Sequence, residues 1–155
     1  MKKAKNNNST KKTSPNKLPA WDLTDLYDGI KDSQIEKDLA SYARMNKALA
    51  RKYKGKLSTL ESRDFYLSLK DVEKINVLGS KLGVFAYLNM VTQMKNPQAV
   101  AFYQNVDEKM TEASKPAIFY TLEINALGDD KFRELLKNKD TEIIVKKALQ
   151  NIHYF

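Results

Sequence analysis

From Ala99 to Leu127 the apolar residues fall at alternating steps of four and three, and that spacing commits the region to helix. Ala99, Tyr103, Val106, Met110, Ala113, Ala117, Tyr120, Ile124 and Leu127 keep the step throughout. A chain with 3.6 residues per turn places all of them on one face, whereas a strand would need alternation by two. Asn96-Pro97 marks the start, with Asn as cap and Pro at the first helical position, and Gly128 marks the end. Pro116 lies inside the run, removes one ladder hydrogen bond, and predicts a kink near Glu112 to Ser114. Beyond the kink Ile118, Phe119, Tyr120, Leu122 and Ile124 leave few positions for water, so that half is expected to be buried nearly all round.

Upstream, the same spacing recurs. Ile35, Leu39, Tyr42, Leu49 and Tyr53 form a stripe whose one polar member is Asn46. Ser33 and Glu36 stand at the separation of a capping box, and Gly55 supplies a stop, giving a helix over about Gln34 to Lys54. A short helix is expected from Ser62 with Phe65, Tyr66 and Leu69 as its contacts. A longer one follows, over about Asp71 to Lys95. The longer helix has two apolar stripes, Val72, Ile75, Leu78, Leu82 and Phe85 on one and Val77, Val84, Leu88 and Val91 on the other, which predicts packing on two sides. Gly79 and Gly83, one turn apart, admit a close neighbour or else mark a break. Two short helices close the chain, from Asp129 or Asp130 to Leu136 and from Thr141 onward, the latter with Ile144, Val145, Ala148, Leu149 and Ile152. No strand pattern and no fixed-period repeat stands out. The expected fold class is all-α: an elongated bundle of about five to six helices.

Two regions are expected. Residues 1–18 contain six lysines, no acid and almost nothing apolar, so they read as a disordered basic tail. The folded unit is expected over 19–155. It opens with an extended lead-in, Trp21 to Tyr27, with one turn begun at Thr24 or Asp25 and anchored by Trp21 and Leu26. Without the tail lysines, 21 basic groups stand against 19 acidic ones. Six of the eight net positive charges therefore belong to the tail, which reads as a solvated leader rather than a nucleic-acid arm, and the folded part is nearly neutral. No apolar run follows Met1 or is long enough to span a bilayer, so neither a secretory signal nor a membrane role is expected.

Residue types limit the chemistry sharply. The chain has no cysteine and one histidine, His153. No site with two nitrogen or sulfur ligands can form within it, and an H-E-x-x-H zinc motif is impossible. His153 reads as a helix-end residue rather than a triad member. The five glycines are never clustered at phosphate-binding spacing. The carboxylate pairs Asp22 with Asp25, Asp107 with Glu108, and Asp129 with Asp130 read as caps, a solvated face and first-turn dipole partners. No catalytic, cofactor-binding or metal residue is assigned.

Several stretches together resemble one family. Trp21-Asp22-Leu23-Thr24-Asp25-Leu26-Tyr27 is similar to the segment that opens oligoendopeptidase F-like zinc peptidases. Tyr53-Lys54-Gly55-Lys56-Leu57 resembles that family's first helix end. Gly83 to Asn89 resembles the segment before its Asn-Pro or Asp-Pro restart, here Asn96-Pro97. Phe119 to Leu127 resembles the end of its long helix, and Ala148 to Phe155 the helix leading into the next segment. The matches keep the family's order from about Pro19 to Phe155 but cover only about the first quarter of a family member.

The resemblance implies a helical N-terminal lobe that forms part of the wall over a substrate channel. Complete members are cytoplasmic zinc endopeptidases acting on oligopeptides, and their zinc ligands lie beyond Phe155. A truncated or split lobe, inactive alone and possessing a separately encoded C-terminal peptidase partner, is one expectation. A free-standing helical interaction module is the other, since long helices with such stripes also bind partner helices.

Overall fold

The computed structural model describes residues 22–137. The basic tail, Trp21, the helix expected from Thr141 and His153 lie outside the described residues. The described chain is all-α: α1 (Ser33–Tyr53), α2 (Ser62–Thr92), α3 (Pro97–Ser114), α4 (Ile118–Asn125) and α5 (Asp129–Leu135). Two single 3-10 turns, Leu57–Thr59 and Lys115–Ala117, lie between them.

The lead-in turns once. Asp22 Oδ1 accepts hydrogen bonds from the Thr24 N–H at 3.0 Å and the Thr24 hydroxyl at 2.7 Å, and the Leu26 N–H closes the turn on Leu23 O at 2.9 Å. Tyr27 is the buried member, while Leu26 is only half-buried.

The capping box expected at Ser33 and Glu36 does not form. Asp32 is the N-cap, its Oδ1 accepting from the Gln34 N–H at 2.8 Å, and Ser33 is already helical. Asp32 prevails because its second oxygen accepts the Asp28 N–H at 3.1 Å, so one carboxylate closes both the turn and the helix start. Those two backbone donors hold its pKa below the usual aspartate value. Glu36 is instead an ion-pair partner of Lys109 on α3, at 2.7 Å. At the other end Gly55 adopts φ +76°, a left-handed conformation that ends α1 where the sequence places its stop.

The helices expected separately from Ser62 and from Asp71 are one continuous helix, α2. No Gly or Pro interrupts the junction, and Phe65, Ser68, Val72 and Ile75 keep helical spacing across it on the inward face. Gly79 and Gly83 do not break it either. A β-carbon at Gly79 would sit 2.9 Å from Tyr42 Cε2, so this glycine makes room for the Tyr42 ring of α1.

The Asn96-Pro97 start holds, with Asn96 Oδ1 accepting from the Gln98 N–H at 3.0 Å. Pro116 does disrupt the long run, but as a 3-10 turn at Lys115–Ala117 that separates α3 from α4. The expectation that the segment after it is buried nearly all round fails. Phe119 and Tyr120 are buried, whereas Ile118 and Leu122 are 56% and 64% exposed. A short amphipathic helix needs only one inward face, and α4 uses its aromatics for it.

The core has two adjoining parts. Tyr27, Ile35, Leu39, Leu82, Phe85, Ala86 and Val106 form one among the lead-in, α1, α2 and α3. Leu49, Tyr53, Leu57, Ile75, Phe119 and Tyr120 form the other among α1, α2 and α4. Tyr42 packs against both. The α5 helix seats Phe132 edge-on against Phe65 with ring centroids 6.5 Å apart, and the Ser62 hydroxyl donates to Glu134 O at 2.9 Å.

Candidate interaction surface

The inward stripe of α2 is satisfied; the outward one is not. Phe65, Ile75, Leu82, Phe85 and Ala86 are buried, and the side packed on α1 and α3 is where they point. On the opposite face Val77, Val84 and Tyr87 are 67%, 47% and 51% exposed. Of the second stripe only Val77 and Val84 are exposed, whereas Leu88 and Val91 are half-buried, so packing on that side is partial. Tyr87 leans its ring edge against Tyr103 of α3 at 6.2 Å.

Asn76 of α2 lines the same cavity as Ile118 and Thr121 of α4. Leu122 lies one turn further along α4. Exposed aliphatic residues scattered singly are ordinary, but these recur along two neighbouring helices.

Buried polar groups fasten the elements to one another. Asp38, almost fully buried on α1, accepts from the Tyr27 hydroxyl at 2.7 Å, Gln34 Nε2 at 2.7 Å and Lys81 Nζ at 3.2 Å. Lys81 also lies 4.0 Å from the Tyr27 ring centroid. Burial pushes the Asp38 carboxyl up, but the hydrogen bonds from Tyr27, Gln34 and Lys81 together hold it below the usual aspartate value. Burial, and then the Asp38 carboxylate, push the Tyr27 phenol well above the ordinary tyrosine range. The lead-in is thereby tied to α1 and α2 through one carboxylate.

A second set joins α2 to α4. The Ser68 hydroxyl donates to Phe65 O at 2.7 Å, which leaves its oxygen to accept from the Tyr120 hydroxyl, also at 2.7 Å. Burial pushes the Tyr120 phenol up to about 12, partly offset by Ser68. Tyr53 donates to Asp71 at 3.1 Å, and Lys52 pairs with the same oxygen at 3.2 Å.

None of these groups presents a nucleophile with an adjacent base. The paired carboxylates do not converge. Asp22 closes the lead-in turn, Asp107 and Glu108 are exposed on α3, and Asp129 and Asp130 begin α5. Among the described residues no group of three or more His, Cys, Asp or Glu could hold a metal ion. No described helix is long and apolar enough to cross a membrane. Sequence reasoning missed Asp38 altogether, since an acid within a helical stripe reads as solvated until Tyr27 and Lys81 are brought to it.

No family model, curated protein or solved structure matches this chain.

Proposed function

We propose that this chain is a helical packing lobe of the kind that opens oligoendopeptidase F-like zinc endopeptidases, with no activity of its own. The observation that carries the reading is the set of exposed apolar side chains, Val77, Val84 and Tyr87 on α2 and Ile118 and Leu122 on α4. Aliphatic side chains repeated at helical spacing on two adjoining helices suit a surface that another body covers. In this reading that body is a separately encoded C-terminal peptidase lobe carrying the zinc, the substrate is an oligopeptide held between the two, and the setting is cytoplasmic.

The chain's own share in such an enzyme is structural. It offers a rigid wall, braced by the Asp38 and Ser68 contacts, and supplies no group to the zinc or to the scissile bond. The test is hydrolysis of a quenched oligopeptide with added zinc. The purified chain is expected to be inactive, and co-purification with a catalytic lobe is expected to restore cleavage. Zinc-dependent turnover by the chain alone contradicts the proposal.

A free-standing interaction module is the second reading. What favours it is that α1, α2 and α3 close a complete core around Leu82, Phe85 and Val106. A module of that kind would remain a dye-free, cooperatively melting monomer when isolated, whereas a lobe made to be covered would bind hydrophobic dye.

A further inference from the structure

Along α1, Arg44, Lys47, Ala48 and Arg51 follow one another at steps of three, one and three, so they share one exposed helix face. The three cations line an open groove whose remaining lining is Met45, Ala48, Ala50 and Pro116. No acid takes part in it. A second groove shares Met45 and Ala48 with the first and adds Lys52 and Lys74. Its one acid, Asp71, is already engaged by Lys52 at 3.2 Å and by the Tyr53 hydroxyl at 3.1 Å. Arg44 donates to the Ser41 hydroxyl of its own helix at 2.9 Å, and among the described residues no acid pairs with Arg44, Lys47, Arg51 or Lys74. Lys47 also lines the groove between α1 and α3, where Glu36 and Glu112 are paired with Lys109 and Lys115 and Glu108 forms no ion pair among the described residues. The folded part is nearly neutral as a whole, yet on this face five cations stand against one engaged carboxylate.

We propose that this face docks an acidic, partly aliphatic peptide segment of a partner protein. Charge complementarity carries the choice: carboxylates one turn apart on such a segment match cations one turn apart on α1. Arginine suits carboxylates in particular, since its planar fork can take both oxygens of one group. Aliphatic side chains between the carboxylates would lie on Met45, Ala48 and Pro116. Nucleic acid fits less well, because no aromatic side chain lines either groove to stack a base and a phosphate backbone makes no use of an apolar floor. An anionic membrane also fits less well, because alanine, methionine and proline between the cations offer no large side chain for insertion. Val77, Val84, Tyr87, Ile118 and Leu122 line neither groove, so this docking face stands or falls separately from the packing-lobe reading.

The probe is a fluorescein-labelled peptide with glutamates one helical turn apart and leucines between them, titrated into the full chain by fluorescence anisotropy. Saturable binding is expected at low salt and should weaken as salt rises. Replacing the probe's glutamates by glutamine should weaken binding by about tenfold or more, the combined size of several exposed charge pairs. Replacing its leucines by serine should weaken binding as well. Arg44→Ala, Lys47→Ala and Arg51→Ala combined should reproduce the loss seen with the glutamine peptide. The helical spectrum should survive, since all three residues are exposed and alanine favours helix. Ala48→Glu, an exposed change in the lining that both grooves share, is a second block and should also prevent binding. Substituting the six tail lysines by glutamine should leave the peptide bound. Absence of saturable binding, equal affinity for the glutamine peptide, or a loss that follows the tail substitutions and not the α1 substitutions overturns the proposal. Tighter binding of oligothymidylate or of phosphatidylserine vesicles, abolished by the same α1 substitutions, overturns it too.

Discussion

Glu123 of α4 accepts the backbone N–H of Gly55 at 2.6 Å, capping from a distance the turn that ends α1. Its other oxygen accepts the Leu57 N–H at 3.3 Å. A positive-φ glycine exposes backbone donors as the helix stops, and one carboxylate from 68 residues along the chain takes two of them. Glu123→Gln should lower stability by about 1 kcal/mol and Glu123→Ala by about 1–2 kcal/mol, discounted because the side chain is half-exposed. Urea unfolding checks this, and a shift in midpoint without a change in slope is the expected form. An unchanged midpoint for Glu123→Ala would show that the turn holds without its cap.

The two glycines of α2 should respond with opposite signs. Gly83→Ala places its β-carbon 3.9 Å from Met110 Cε, an ordinary contact, and gains up to about 1 kcal/mol of helix propensity. Gly79→Ala meets the Tyr42 ring at 2.9 Å and should destabilise by about 1–3 kcal/mol despite the same propensity gain. Thermal unfolding of the pair tests the packing of α1 on α2. Stabilisation by both substitutions would mean that the Tyr42 ring does not occupy the notch.

Asp38 makes stability acid-sensitive. Its pKa is lowered in the fold, so its contribution is present above the ordinary aspartate value of about 3.9 and disappears as pH falls through the folded value. Asp38→Asn should flatten the loss of stability below about pH 4, and Asp38→Ala should cost about 1–3 kcal/mol at neutral pH by leaving Tyr27 and Lys81 without their acceptor. Denaturant midpoints across pH 2–7 are the measurement. A parallel pH profile for wild type and Asp38→Asn would remove Asp38 from the acid transition.

At alkaline pH the signs reverse. The Tyr27 and Tyr120 phenols are raised in the fold, so the stability they confer is complete below the ordinary tyrosine value of about 10. For Tyr120 it is lost as pH rises toward about 12. Phenolate absorbance should show Tyr27 and Tyr120 ionising above the ordinary tyrosine range. Tyr120→Phe removes one late-titrating group and leaves Ser68 with its bond to Phe65 O.

The sequence made the helices legible because their signals are local. Spacing by three and four, the Asn96-Pro97 start, the Gly55 stop and the disruption at Pro116 all act within a turn or two. Non-local choices were hidden. Whether Asp32 or Ser33 caps α1 depends on where the Asp28 N–H lies, and whether Asp38 is buried depends on Tyr27 and Lys81 arriving from either side. The start at Ser62 holds, but the separate start expected at Asp71 does not exist, because no Gly or Pro there interrupts the helix. The second stripe of α2 was visible as a stripe, but its exposure was not, since periodicity tells which residues share a face and not what covers it.

The outward face itself yields the most direct test. Sedimentation velocity with a hydrophobic dye, on wild type and on a variant carrying Val77→Lys, Val84→Lys and Leu122→Lys, reads whether that face seeks cover. A packing lobe predicts dye binding and concentration-dependent self-association in wild type, both largely removed in the variant, with the helical melt kept. A wild-type chain that stays monomeric at every concentration and binds no dye would contradict it.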